Sequence, residues 1–363
     1  MALISLVVNL VAQGFYIFLG IAGIGFLIGF HEFGHFIFCK LFKIATPTFS
    51  IGMGPKIFSK KIGQTNFTLS ALPLGGYVEI QGQGENQDEA GNTYSFTQKP
   101  YYQKMLVIAG GIVFNVLFAY VAISSLYFFG MPKLPPLYPG NASTQVSMVE
   151  AGSPAQQAGL QSSDAILKID GLSVSNNTLE LLNTIRKKPG QQVILTILHD
   201  DQEQTLPVTI GERTLPNGEK EGYLGLDFII PQYGLAESIK LGVQGTHEII
   251  WQTILVFKNM FVKKDTKNLG GPIMVISQTI KSASKGFKIF LLLLAYISIN
   301  LAVLNIIPVP IMDGGQALFY TIEALIRRPL PEQVKLYIHY ACWIAVMGLA
   351  LFLTVKDIFR LFC

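Results

Sequence analysis

The sequence predicts a mainly α-helical integral membrane protein with four transmembrane helices, a β-element between the first two spans and one small inserted α/β domain. Three observations carry this. Half of the 363 residues are hydrophobic and only 14% are charged, against about a quarter charged in a soluble domain. Ionisable residues are absent from residues 1–30, Met105–Pro132, Ile289–Met312 and, His339 apart, Leu336–Val355. Each of these blocks has the roughly 20 apolar residues that a helix needs to cross the bilayer core.

The first block reads as a retained span and not as a signal peptide. It has no basic n-region, and it runs straight into His31 and Glu32 without a small-residue cleavage site. Next, about Lys40 to Lys104, comes a Gly-rich stretch that reads as strands at Lys56–Lys61, Asn66–Leu72 and Gly76–Gln81. Turn signals at Gly63-Gln64 and Pro73-Leu74-Gly75-Gly76 separate them. The second span follows, and residues 1–130 form the first part of a membrane core.

Residues 131–230 read as an inserted domain. Ser153 is an N-cap before Pro154 at the first helical position, and Gly159 closes that short helix. Ala165–Asp170 alternates as a strand and turns at Asp170-Gly171. Thr178–Lys188 has helical spacing and stops at Pro189-Gly190. Val193–His199 and Thr205–Ile210 read as a hairpin. Residues 231–286 read as an amphipathic helical segment on the membrane, since Lys240, His247, Glu248 and Lys258 make Ser238–Phe261 too polar for a span. Residues 287–363 complete the membrane core. Lysines and arginines in the first and third connecting regions, among them Lys56, Lys60, Lys61, Arg327 and Arg328, place those regions in the cytoplasm and the inserted domain outside. Lys356 and Arg360 argue mildly the other way.

Three cysteines without a CxxC indicate neither a disulfide framework nor a cysteine zinc site. A net charge of +4, dispersed along the chain, gives no reason to expect a nucleic-acid partner.

The chemistry concentrates at His31-Glu32-Phe33-Gly34-His35. On a helix, positions i and i+4 share a face, so both imidazoles can point at one ion. Glu32 lies about 100 degrees round and can reach water at that ion. The motif ends a span whose preceding thirty residues carry no ionisable group, and polar groups so close to hydrocarbon are functional by default. A catalytic zinc takes three protein ligands and keeps one position open. Asp313 is the candidate third ligand: it ends the third apolar block, after Pro308 and Pro310 break the helix and before Gly314 and Gly315 permit a sharp turn, the plainer alternative being an Asp that caps a helix starting at Gly314. Asn300 and Asn305 in that block suit either interhelical hydrogen bonding or holding an unwound substrate. Asn115 reads as structural, His247-Glu248 as surface, and His339 as a helix-end or packing residue.

Taken together, these residues resemble the site-2 protease family, peptidase M50, and most closely its bacterial regulator of sigma-E protease branch. The ordered motifs are HEFGH at 31–35, Gly52-Met53-Gly54-Pro55, Pro73 to Val78, Ala109-Gly110-Gly111 to Asn115, a PDZ-like GSPAQQAGL at 152–160, Leu269 to Ile273, and Ser298 to Gly315. The resemblance implies Zn2+ on His31, His35 and Asp313 with Glu32 catalytic. It implies a bacterial cytoplasmic-membrane enzyme whose active site faces the cytoplasmic side. Its substrates would be single-span membrane proteins already cut by another protease, such as anti-sigma factors or remnant signal peptides. The 64–81 region would be a membrane-associated β-element that presents the substrate, with Phe67, Leu69, Gly75, Gly76 and Tyr77 as candidate contacts. The inserted domain would be PDZ-like and extracytoplasmic, with Tyr223 to Leu226 as the counterpart of a loop that captures peptide C-termini. Two departures stand out: there is room for one PDZ-like domain where relatives often carry two, and Gly111 stands where the family usually has Pro.

Three other classes are weaker. The position of HEFGH argues against a metalloprotease acting on soluble peptides, and intact Glu32 argues against a silent scaffold. A metal transporter would show repeated halves, and none is visible.

Overall fold

Four of the described helices are long and apolar enough to cross a membrane: Val11–Leu41, Tyr101–Phe129, Phe287–Ile306 and Glu332–Phe359. They fall on the four uncharged blocks, because a chain segment without water must satisfy its backbone internally and the helix does so within one strand of chain. The computed structural model describes residues 2–83, 93–132, 143–175, 177–214, 220–229, 232–263 and 270–362. Leu269 of the expected Leu269–Ile273 motif lies outside them. The chain divides into two units, residues 1–124 with 239–363, and residues 125–238.

The first unit is built on α1 (Ala2–Leu41), the strands β1 (Thr48–Ile62) and β2 (Thr65–Val78), and α2 (Tyr101–Phe129). The strand element is longer and more folded than the sequence suggests. Asn66, Phe67, Thr68 and Leu69 of β2 each have a partner in Thr48–Ile51 and a second in Phe58–Lys61. Phe49, Ser50 and Ile51 pair in addition with Val78, Tyr77 and Gly76. The Asn66–Leu69 run is therefore internal, and Gly76–Val78 lies at the margin. Phe67 points into an aromatic group with Phe36 and Phe49, while Leu69 is exposed.

The second unit holds β3 (Val146–Val149), α3 (Pro154–Gln157), β4 (Ala165–Ile169), β5 (Leu172–Ser173), α4 (Thr178–Arg186), β6 (Gln192–His199), β7 (Gln202–Thr209), β8 (Gly211–Thr214), β9 (Lys220–Tyr223) and β10 (Leu226–Phe228). Its main sheet has the order β5-β4-β6-β7, and β10 pairs with β3. Alternating positions of β4 and β6 (Ile166, Leu195, Ile197) join Leu181 and Ile185 of α4 in one buried core. The capping reading holds in detail: the Ser153 side chain accepts from Gln156 N–H, with Pro154 at the first helical position.

The chain then enters α5 (Leu235–Lys263), α6 (Pro272–Ser284), α7 (Phe287–Ile306), α8 (Asp313–Ile326) and α9 (Glu332–Phe362). The short α6 packs on α1, α7 and α9, with Ala283 beside Leu27, Phe290 and Leu294. Its N-cap, Gly271, has no side chain to satisfy the first N–H groups. Buried Asp357 of α9 does so instead, accepting from Gly271 at 3.1 Å and Met274 at 2.9 Å.

One pair in the second unit gives a pH test. His199 Nδ1 lies 2.5 Å from Oδ1 of buried Asp164, and that hydrogen bond raises the His199 pKa. A raised folded value means that the stabilisation is complete below the unfolded value of about 6.5 and is lost as pH climbs through the folded one. Amide hydrogen exchange across Gln192–His199 should show wild type better protected than His199→Gln at acidic pH, and the difference should vanish as the pH is raised.

Candidate metal centre

His31 and His35 stand one turn apart on α1, as the i, i+4 spacing requires. Both are largely buried, and their Nε2 atoms are 3.2 Å apart. Asp313 Oδ2 lies 3.3 Å from His31 Nε2 and 3.6 Å from His35 Nε2. Ligands about 2.1 Å from a tetrahedral zinc are spaced roughly 3.4 Å from one another, and these three separations match that edge. Asp313 Oδ2 is buried and makes no hydrogen bond. A buried carboxylate oxygen without a donor is costly, and a cation at the shared point removes the cost. The donor set of two imidazoles and a carboxylate is one that zinc accepts.

Each ligand is set by its local chain. His35 Nδ1 is 2.8 Å from the Val107 carbonyl of α2, which can only accept, so Nδ1 bears the proton and Nε2 offers its lone pair. The α2 helix approaches this closely at Gly111, where a Cβ would fall 2.5 Å from His31 Cε1 and His35 Nε2. Asn115, one turn further along α2, reaches His31 Nδ1 at 3.1 Å. Sequence reading gave Asn115 a structural role; its place one turn from Gly111 was the available signal.

Asp313 arrives differently from the leading expectation, and nearer to the alternative of a helix starting beside it. The span α7 ends at Ile306, and Asp313 is the first residue of α8 rather than the last of the third span. The prolines do stop the helix, but Gly314 and Gly315 do not make a sharp turn. They open α8, and a Cβ on either would strike the Ile306 or Val309 carbonyl, at 2.3 and 2.2 Å. Their smallness lets the start of α8 press against the unwound segment and bring Asp313 inward.

Glu32 shares with the three ligands a cavity of about 1170 Å³, also lined by Asn115, Tyr77 and Asn305. One Glu32 oxygen accepts from Val78 N–H at 3.2 Å. Gly76 lies alongside: a Cβ there would meet Ser50 O at 2.9 Å and Glu32 Cγ at 3.7 Å. Gly75, with φ of 108°, packs under Met53. The other candidates separate. Asn305 and Tyr77 reach the cavity, whereas Asn300 is exposed on α7 and Phe67 and Leu69 are not on the cavity wall. His339 of α9, read as a helix-end residue, does line it. His247 lies outside, its Nε2 2.7 Å from the Tyr120 hydroxyl.

The sequence model of peptidase family M50 matches residues 19–349. A protein of Clostridium perfringens provisionally named a zinc metalloprotease is 30% identical, over 94% of this chain and 98% of its own length. One of Campylobacter jejuni with the same provisional name is 32% identical over 93% and 92%. Among solved structures, the PDZ domain of an SdrC-like protein from Listeria innocua matches 25% of the chain at 20% identity, with a TM-score of 0.21, too low to carry an argument.

The geometry separates holding the metal from using it. Asp313→Ala removes one of three ligands and should lower zinc content in the purified protein by at least tenfold at a fixed free-zinc level. Glu32→Gln leaves all three and should keep zinc while losing cleavage. Full zinc retention in Asp313→Ala would overturn the ligand set, and near wild-type cleavage by Glu32→Gln would remove the base.

Proposed function

The chain belongs to peptidase family M50 and is a zinc metalloprotease, and we propose that it hydrolyses peptide bonds within transmembrane segments of other membrane proteins. His31, His35 and Asp313 are the zinc ligands in this reading and Glu32 is the general base. One observation carries it: the ligand pair sits on a helix that qualifies as a membrane span, against a second such helix that supplies the Val107 and Asn115 contacts. A substrate bond has to reach the ligands at that depth.

When bound, zinc supplies a Lewis acid and makes water acidic enough to be deprotonated near neutral pH. Glu32 takes the proton from the attacking water and later delivers it to the leaving nitrogen. Val78 N–H holds the carboxylate in place for this. The substrate helix must first unwind, and its freed backbone groups cost several kcal/mol each in lipid. The Gly76–Val78 margin offers a remedy. Glu79 N–H donates inward to Thr48 O, so by strand alternation the N–H and C=O of Gly76 and Val78 face outward. A substrate strand adds at Gly76, while Glu32 occupies the next outward donor. Strand addition thus delivers the peptide group beside the base.

The second unit reads as a PDZ-like domain outside the membrane, limiting access to substrates already trimmed by another protease. A groove of about 390 Å³ lies beside Tyr223–Phe228. Two nearby cations are engaged: Arg186 and Arg213 lie 3.1 and 2.8 Å from the same Glu221 oxygen. With Glu150 and Asp227 also lining the groove, its carboxylates outnumber its two cations, which favours exclusion by size over capture of a C-terminal carboxylate. Basic residues flanking the β-element support a cytoplasmic-facing active site in a bacterial inner membrane.

Purified protein should cleave single-span substrates in bilayers and leave soluble peptides of the same sequence untouched; equal cleavage of both would defeat the intramembrane reading. Gly76→Pro should reduce cleavage at least tenfold with zinc retained, and helix-breaking residues in the substrate should speed it. Unchanged cleavage by Gly76→Pro would reject strand addition. A folded, zinc-loaded deletion of residues 145–229 should cut substrates with long outer segments that the intact protein resists. Changing the substrate's terminal residue should alter the rate less than tenfold, about 1.4 kcal/mol; a larger change would point to carboxylate capture.

A further inference from the structure

We infer that Asn115 is a positioning residue for the metal centre: its amide oxygen accepts a hydrogen bond from His31 Nδ1–H and so fixes the ring with the Nε2 lone pair toward the cation. This rests on the three-ligand reading above.

The argument starts from His35, whose Nδ1 proton is fixed by the Val107 carbonyl. His31 needs the same tautomer, because its Nε2 is the atom beside Asp313 Oδ2 and His35 Nε2. With the proton on Nδ1, the partner there must accept. The partner is Asn115, fully buried and 3.1 Å away. The amide end nearest the ring is Asn115 Nδ2, a donor, and Oδ1 is left buried without a hydrogen bond. A half-turn of the amide exchanges the two ends without changing its shape.

A second observation agrees. Among the described residues, the buried side-chain atoms without a hydrogen bond are Asn115 Oδ1 and Asp313 Oδ2, and both belong to this cluster. A cation at the shared point bears on both. It takes the Asp313 lone pair directly, and by holding His31 through Nε2 it makes the amide oxygen the end that Nδ1–H requires. The helix carrying Asn115 is anchored for the task, since buried Ser298 of α7 donates to the Asn115 backbone carbonyl at 2.8 Å. Gly111, one turn earlier on the same face, leaves the rings their space. A partner that fixes a metal-bound imidazole through its other nitrogen typically changes metal affinity by 10–100-fold.

The test is zinc retention by purified full-length protein across a series of chelator-buffered zinc concentrations. Asn115→Leu keeps the volume and cannot accept, and should weaken zinc binding by about 10–100-fold. Asn115→Asp can only accept, and should hold zinc at least as tightly as wild type. If Asn115→Asp loses zinc as Asn115→Leu does, or if Asn115→Leu binds as wild type does, the proposal is wrong. His31→Ala is the control: zinc retained there would sink the ligand set itself rather than the role of Asn115. Should a variant not fold, nitrogen-15 histidine NMR on zinc-loaded wild type decides instead. A proton on His31 Nδ1 is expected, and a bare Nδ1 overturns the assignment.

Discussion

Three electron-rich atoms, two imidazole nitrogens and a carboxylate oxygen, are held 3.2 to 3.6 Å from one another in a largely buried place. Without a cation such an arrangement is repulsive and leaves the carboxylate short of a donor. Much of the membrane unit serves to hold it. The α1 helix gives the two histidines one face, and α2 comes close enough to grip both rings from behind, at Val107 and Asn115. The unwound stretch after α7 lets α8 begin with Asp313 aimed inward. A cation bound among the three atoms would relieve both the repulsion and the missing donor, which would tie folding at this junction to metal binding.

The same junction sets the orientation of the base. Glu32 leaves α1 between the two histidines on a different azimuth, and its carboxylate meets the outward N–H of Val78. That contact couples the helix that binds metal to the margin of the strand element. Gly76 makes it possible, since a side chain there would meet Ser50 and Glu32. One short run of the strand element thus holds the Glu32 carboxylate and, in the proposed reading, takes up an unwound substrate. That reading requires both, because hydrocarbon supplies no water to satisfy a substrate's exposed peptide groups.

Where sequence and structure part company, the cause is the same each time. Phe67 and Leu69 stand among the candidate substrate contacts because period-2 alternation shows that a segment is a strand, not how many neighbours it has. The bend of β1 gives Asn66–Leu69 partners on both sides and moves the margin to Gly76–Val78. Asn300 and Asn305 lie five residues apart in one apolar helix, and only the packing of that helix sends Asn305 to the cavity and Asn300 outward. Asn115 was one polar residue in a long apolar run, the usual mark of an interhelical hydrogen bond. Its partner is the ring of His31, 84 residues away. Asp357 capping α6 belongs to the same class: no local pattern pairs a late residue of α9 with the first turn of a helix 83 residues earlier.

The sequence by itself determined the four spans, the His31–Glu32–His35 face, the likeness to a protease family and the helix break before Asp313. These follow from local physics: charge-free length, helical period and the backbone limits of proline all act within a few residues of the chain. Only the tertiary structure decided that Asp313 opens α8 and closes on the histidines, that Val78 holds Glu32, and that Asn115 stands behind His31. Those facts depend on how close two helices and a strand approach one another. That distance is set by residues such as Gly111 and Gly76, whose contribution is the absence of a side chain at a contact that forms only once the chain has folded.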